Sequence, residues 1–251
     1  MVTKDMIWGH PIKDLPFKLI VQPKVEIWRA ADFWLKERET IAWIDSFQSN
    51  SVFWDIGANV GVFSLYNSIR KGNFATIAFE PGEENFNRLI ENVRINEINS
   101  PLIYKQEAVS DFDGCSMFFI PKSGIGRSGG QLGEAIDQKG DKFIPSGAYQ
   151  VNTHTIDTLS KALGVPNYIK IDVDGQEWKI LQGGVGTLLD DAVKGVLVEV
   201  NNSTIDITAF MLGLGFTDFN RFNGPDLNRS INKPTHNTIF TRGEVSHQNP
   251  V

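Results

Sequence analysis

Cysteine is almost absent: Cys115 stands alone among 251 residues. A single thiol excludes an internal disulfide framework and any cysteine metal cage. Basic residues are outnumbered, with 24 Lys and Arg against 30 Asp and Glu, and they gather into no run. A net charge of −6 without a basic footprint argues against nucleic acid as an obligatory partner, because phosphates demand concentrated positive charge. No segment approaches ~18 consecutive apolar residues, so no membrane span is expected. The opening stretch MVTKDMIWGHPIKDLP has no long apolar core and does not read as a secretory signal. A cytoplasmic location follows as the expectation, and the N-x-S/T matches at Asn201, Asn202 and Asn228 then read as chance. Internal repeats and low-complexity tracts are also missing. What is present is 41% hydrophobic residues and 23 glycines, enough for a sizeable core in one α/β domain with additions.

The stretch from Ser51 to Ser64, SVFWDIGANVGVFS, carries the strongest local signal. It runs from apolar Val52, Phe53 and Trp54 through Asp55 into a turn containing Gly57, Asn59 and Gly61, then into an apolar helix-compatible run. That is the pattern of a buried strand, a tight turn and a helix start. Glycine lets the backbone approach a ligand that a Cβ would block. The following helix offers free N–H groups and a positive dipole end. A dinucleotide fingerprint reads G-x-G-x-x-G, whereas this turn reads D-x-G-x-N-x-G. An acid before the first glycine suits a cofactor with a positive pole, and S-adenosylmethionine carries an ammonium and a sulfonium. A strand-to-helix turn that binds nothing is the competing reading.

Around this turn the pattern alternates strand and helix. Prolines punctuate residues 1–24, with one short strand from Phe17 to Val21. Glu26 to Phe47 reads as a helix, with Trp28, Ala31, Leu35, Trp43, Ile44 and Phe47 on helical spacings. Its tryptophans fit packing on a sheet better than a stacking surface. Phe74–Phe79 is a continuously apolar strand that ends at Glu80, and such strands are buried on both faces, as in a parallel sheet. An acid there, about 20 residues past the glycine turn, is placed to grip ribose hydroxyls. Helix Glu83–Ile98 follows, then a strand from Leu102 that closes through Asp111. Glu107 in that closing segment is a candidate for the adenine amine or a solvated loop acid. Cys115–Ile120 and Tyr149–Thr155 read as strands around a glycine-rich lid or substrate loop spanning 110–150. Within it, Gly124 to Gly129 forms a nominal G-x-G-x-x-G, rejected as a dinucleotide site because no helix opens after it. Arg127 there is a candidate for an anionic substrate or a solvated side chain.

His154 precedes a short helix in which Asp157 is expected to cap. Asn167–Val173 is the next core strand, with Asp172 and Asp174 at its end, followed by one helix from Trp178 to Leu189. Gly195–Val200 ends at Glu199 and Asn201. A helix from Thr204 to Leu214 and two strands, Phe216–Phe222 and Asn237–Arg242, complete the chain as a hairpin. Ligands on open α/β sheets sit outside the carboxyl ends of the strands, which brings Asp172 beside a reacting group if its strand neighbours that of Asp55.

The ordered set D-I-G-A-N-V-G, F-E-P, T-I-D-T-L, I-K-I-D-V-D-G-Q-E and V-L-V-E-V, from Val52 to Asn202, resembles the FkbM-type methyltransferases. The resemblance implies an α/β class I methyltransferase (Rossmann-like) fold: a seven-stranded, mostly parallel sheet with helices on both faces and a C-terminal antiparallel hairpin. Residues 1–50 would be a helical extension and 51–251 the methyltransferase domain. The cofactor implied is S-adenosylmethionine, and the methyl acceptor a hydroxyl of a small molecule or saccharide. By position, Asp55, Gly57, Asn59 and Gly61 match the first motif around the methionine part. Glu80 matches the ribose acid, and Asp172 the acid near the methyl. Asp174 replaces the usual glutamate, and His154 stands where arginine or another polar residue is frequent, which leaves the base open. The candidates for it are Asp172, His154 and Glu199, in that order. A divalent cation on Asp172, Glu199 and Asn201 is a further option, though no spacing specifies one. The rivals are a non-catalytic S-adenosylmethionine-binding protein and an NAD-dependent oxidoreductase.

Overall fold

The computed structural model describes residues 6–12, 15–21, 37–70, 75–96, 98, 100–122, 124–201, 206–222 and 235–242. An antiparallel hairpin opens the chain, β1 (Met6–Ile12) with β2 (Leu15–Val21). Helix α1 (Arg38–Asp45) follows. Of the helix expected over 26–47, Trp28, Ala31 and Leu35 lie outside the described residues. The chain then alternates through β3 (Val52–Ile56), α2 (Val62–Ile69), β4 (Ala75–Phe79), α3 (Glu83–Ile95) and β5 (Leu102–Lys105). The next strands are β6 (Ala108–Val109), β7 (Gly114–Ile120), β8 (Gln131–Leu132) and β9 (Gly147–His154). The last third holds α4 (Ile156–Leu163), β10 (Tyr168–Ile171), α5 (Glu177–Gln182), α6 (Val185–Leu188) and β11 (Gly195–Asn201). It closes with α7 (Ile207–Gly213), β12 (Asp218–Phe222) and β13 (Thr235–Thr241).

Seven strands form the main sheet in the order β12-β13-β11-β10-β3-β4-β5. From β11 to β5 the neighbours run parallel, and β13 is antiparallel to both β11 and β12. Successive residues of the central strands enter opposite cores, which is why these strands are apolar without alternation. Trp54, Ile56, Ile169, Ile171, Val196 and Val198 pack on one face with Ile180 and Leu188 of α5 and α6. Phe53, Tyr168 and Leu197 pack on the other with Leu19 of β2, Trp43 and Ile44 of α1, Phe47 beyond it, and Leu65 of α2. Phe47 stacks on Tyr168 with centroids 3.8 Å apart, so the described aromatics of the N-terminal segment seal the sheet. No helix among the described residues is long and apolar enough to cross a membrane.

Three local expectations are corrected. The third strand does not continue through Asp111: after Lys105 the chain leaves the main sheet, and β6 pairs with β9 in a second sheet of order β6-β9-β7-β8. The helix from Trp178 to Leu189 is two helices broken at Gly183 and Gly184. A Cβ on Gly183 would fall 2.3 Å from the Ser110 carbonyl oxygen, so the chain crosses there at a distance no side chain permits. Asp157 does not cap its own helix. Thr155 holds that position and accepts from Thr158 N at 3.0 Å, while Asp157 reaches the start of α6 and accepts from Gly186 N and from Thr187 N and Oγ1.

Candidate active site

The turn after β3 is shaped by its neighbour strand. Gly57 (φ 81°) and Asn59 (φ 52°) adopt left-handed conformations. A Cβ on Gly57 would meet the Asp172 carbonyl oxygen at 1.9 Å, so the turn can lie against the end of β10 only with glycine there. Gly61 faces Leu89, which lets α2 and α3 approach. These elements open a cleft lined by Gly57, Asn59, Glu80, Gly82, Asp172 and Asp174 on the sheet side. Phe118 and the loop around Arg127 line it from the second sheet.

Glu80 is 6% exposed, and each of its oxygens takes one backbone donor. Asn59 N donates to Oε2 at 2.7 Å and Gly82 N to Oε1 at 2.8 Å. A second lone pair on each oxygen remains for ligand hydroxyls. Burial raises its pKa to about 7 against the two backbone bonds that lower it, and Asp174 and Asp55 add to the rise. Asp55 is wholly buried below the turn. Ser64 Oγ donates to its Oδ2 at 2.6 Å, while Oδ1 has no hydrogen-bond partner. Burial raises the Asp55 pKa, opposed by Lys170 and Ser64.

Lys170 is the residue that sequence reading passed over. It lies opposite Asp55 in the register of β10 and β3, is 1% exposed, and donates to Asp172 Oδ2 at 2.8 Å. Its ammonium also stands 5.0 Å over the Phe63 ring. Burial pulls this lysine down, but Asp172, Asp55 and Glu37 outweigh it and hold the ammonium above the usual lysine range. A lysine inside the apolar run Tyr168–Ile171 was the available signal, since lysine is almost never fully buried unless paired. Glu37 was passed over too. Burial raises its pKa to about 7, Lys170 lowers it, and Asp172 and Glu39 raise it.

Asp172 and Glu199 occupy corresponding places on adjacent parallel strands, each one residue past the Ile171–Val198 pair. Burial raises the Glu199 pKa to about 8, with Asp172, Asp174 and Glu177 adding to it and Lys170 opposing. The other candidates fall elsewhere. Glu107 pairs with Lys105 at 3.3 Å on the segment leaving the main sheet. His154 ends β9, and its Nδ1 stands 3.6 Å from Asp113 Oδ1, beside the start of α4. Neither lines the cleft, and of the remaining sequence candidates Gly57, Asn59, Glu80 and Asp172 line it whereas Asp55, Gly61 and Glu199 do not. No group of three or more metal-ligating His, Cys, Asp or Glu side chains occurs among the described residues. Asp174 (φ 60°) instead fastens the loop from the second sheet: its carboxylate accepts from Gly129 N and Gln138 Nε2, and its carbonyl from Gln131 Nε2.

A glycine turn between acidic strand ends and a cleft walled by acids suit a cationic nucleoside, the cofactor chemistry of an S-adenosylmethionine-dependent methyltransferase. The profile of the FkbM methyltransferase domain matches residues 55–217, and the chain belongs to that family. Hexuronic acid methyltransferase AglP of Haloferax volcanii is 29% identical over 187 residues, 73% of this chain and 70% of that one. Methyltransferase 1 of Beauveria bassiana is 26% identical over 176 residues, 64% of this chain and 68% of that one. An S-adenosylmethionine-dependent methyltransferase from Agrobacterium tumefaciens superposes with a TM-score of 0.49 at 8% identity, covering 94% of this chain and 70% of that one.

Proposed function

We propose that this methyltransferase transfers its methyl group to a hydroxyl of a saccharide or related small molecule. The observation that carries the reading is the pair Asp172 and Glu199, side by side at the ends of β10 and β11, with Asp172 on the cleft wall. S-adenosylmethionine supplies a methyl group activated on a sulfonium. Gly57 and Asn59 form the wall for its methionine part, with the Asp55 carboxylate buried behind them, and Glu80 takes the ribose hydroxyls through its free lone pairs. Methyl transfer to a hydroxyl also requires removal of that proton by a group within hydrogen-bond reach. Glu199 is assigned this task. Its pKa of about 8 makes it a stronger base than an ordinary carboxylate, and among the described residues no lysine bonds its oxygens. Asp172, with Oδ2 committed to Lys170, orients the acceptor. Phe118, Ile120 and Arg127 lie on the wall that faces the acceptor. The relative named for a hexuronic acid supports a saccharide acceptor.

Incubation with methyl-labelled cofactor and a cell extract tests the acceptor class. Label recovered as a saccharide methyl ether supports the reading, and label in RNA or in protein nitrogen rejects it. For the base, Glu199→Gln is expected to lower turnover about 100-fold while S-adenosylhomocysteine affinity stays within twofold. Turnover within threefold of wild type removes Glu199 from the role.

A further inference from the structure

The loop over the cleft carries a cation without a counter-ion. Arg127 lines the cleft together with Gly57, Glu80 and Asp172. Its backbone is tied down from the cofactor side: the Arg127 carbonyl accepts from Asn59 Nδ2 at 3.2 Å and Asn85 Nδ2 at 3.0 Å. Gly126 N donates to Asn85 Oδ1 at 2.8 Å, and Gly124 N to Glu84 Oε2 at 2.7 Å. The side chain folds back over Gly124, where a Cβ would lie 2.7 Å from Nε and 3.2 Å from Cδ. The guanidinium is therefore held on a glycine that leaves it room. Among the described residues no carboxylate lies within ion-pair distance of it, and its Nε is buried without a hydrogen-bond partner. The nearby acids are engaged elsewhere: Glu84 holds Gly124, Asp174 holds Gly129 and Gln138, and Glu80 holds Asn59 and Gly82.

An arginine does not lose its proton, so a buried, unanswered N–H of this kind calls for an acceptor. A planar fork of donors matches a carboxylate in two parallel bonds. The acids around the cleft disfavour a phosphate dianion more than a singly charged carboxylate. We propose that Arg127 binds a ligand carboxylate in the cleft. This rests on the methyl-transfer reading above, which offers two carboxylates: that of the cofactor's methionine part, and that of an acidic saccharide acceptor.

The test compares wild type with Arg127→Gln by titration calorimetry, using S-adenosylhomocysteine and decarboxylated S-adenosylmethionine, and then glucuronate and methyl glucoside added to the S-adenosylhomocysteine complex. The substitution leaves the backbone clamp intact, and an unchanged melting temperature checks that. A loss of at least tenfold for S-adenosylhomocysteine, with the decarboxylated cofactor bound equally by both proteins, assigns the residue to the cofactor carboxylate. Unchanged S-adenosylhomocysteine affinity with at least tenfold weaker glucuronate, and no change for methyl glucoside, assigns it to the acceptor. If neither carboxylate ligand responds, the proposal is overturned. Wild-type binding of S-adenosylhomocysteine separates the two levels. Its absence removes the methyl-transfer reading itself, whereas S-adenosylhomocysteine and glucuronate binding that are both identical in the variant remove only the role of Arg127.

Discussion

Replacing Lys170 with methionine removes a buried positive charge that opposes the acids of the central strands from inside the sheet. At the 2.8 Å separation of Lys170 Nζ and Asp172 Oδ2, attraction at an effective dielectric near 20 is about 6 kcal/mol. The Asp172 side chain is 30% exposed, so solvent screens part of that. Breaking a buried pair by removing one partner costs about 3–5 kcal/mol, and the screening favours the lower end, about 3 kcal/mol. The cost depends on pH. Burial already raises the Asp55 pKa and Lys170 opposes the rise, so in Lys170→Met the Asp55 pKa climbs further. A carboxyl raised in the folded state binds its extra proton between the unfolded and folded values, and its contribution to stability falls as pH rises through that window. The variant should therefore lose about 3 kcal/mol at pH 8 and distinctly less at pH 5, read from urea denaturation at both pH values. An equal loss at both, or none, would refute the view that Lys170 neutralises this cluster.

Other substitutions probe the remaining parts of the site. Glu80 has a folded pKa of about 7 against 4.5 unfolded, so its contribution to stability declines as pH rises from about 4.5 to about 7. If ribose hydroxyls donate to its anion, as proposed above, S-adenosylhomocysteine should bind more tightly at pH 8 than at pH 6 and release a proton. Glu80→Gln should bind at least tenfold more weakly with no pH dependence, and a pH-independent wild type would exclude the role. Gly57→Ala places a Cβ against the Asp172 carbonyl oxygen at positive φ and should cost about 3 kcal/mol in urea denaturation. A cost below about 1 kcal/mol would mean that the turn shifts freely. Asp157→Ala strands two backbone donors at the start of α6, leaving the Thr187 hydroxyl to Ser160 Oγ, and should lower stability by about 2 kcal/mol, with the denaturant midpoint reduced and its slope unchanged. An unchanged midpoint would show that water replaces the carboxylate at no cost.

Local pattern sufficed where neighbours in sequence decide the outcome. Continuous apolarity marked Val52–Ile56, Ala75–Phe79 and Tyr168–Ile171 as strands buried on both faces. The glycine turn after Asp55 and the acid after Phe79 stood out because few residue types tolerate such positions. Only tertiary structure decided which of these residues meet. The placement of β10 between β3 and β11 sets Lys170 opposite Asp55 and Asp172 beside Glu199, and nothing within any of those segments specifies that order. The diversion of β6 into a second sheet carries the Glu107 segment away from the main one. The reach of Asp157 to another helix and the clamp on the Arg127 carbonyl by Asn59 and Asn85 depend on partners tens of residues away. Strand order is settled by the total burial of both sheet faces, which belongs to the whole chain, whereas a turn or a strand end is settled by the few dihedrals and side chains that compose it.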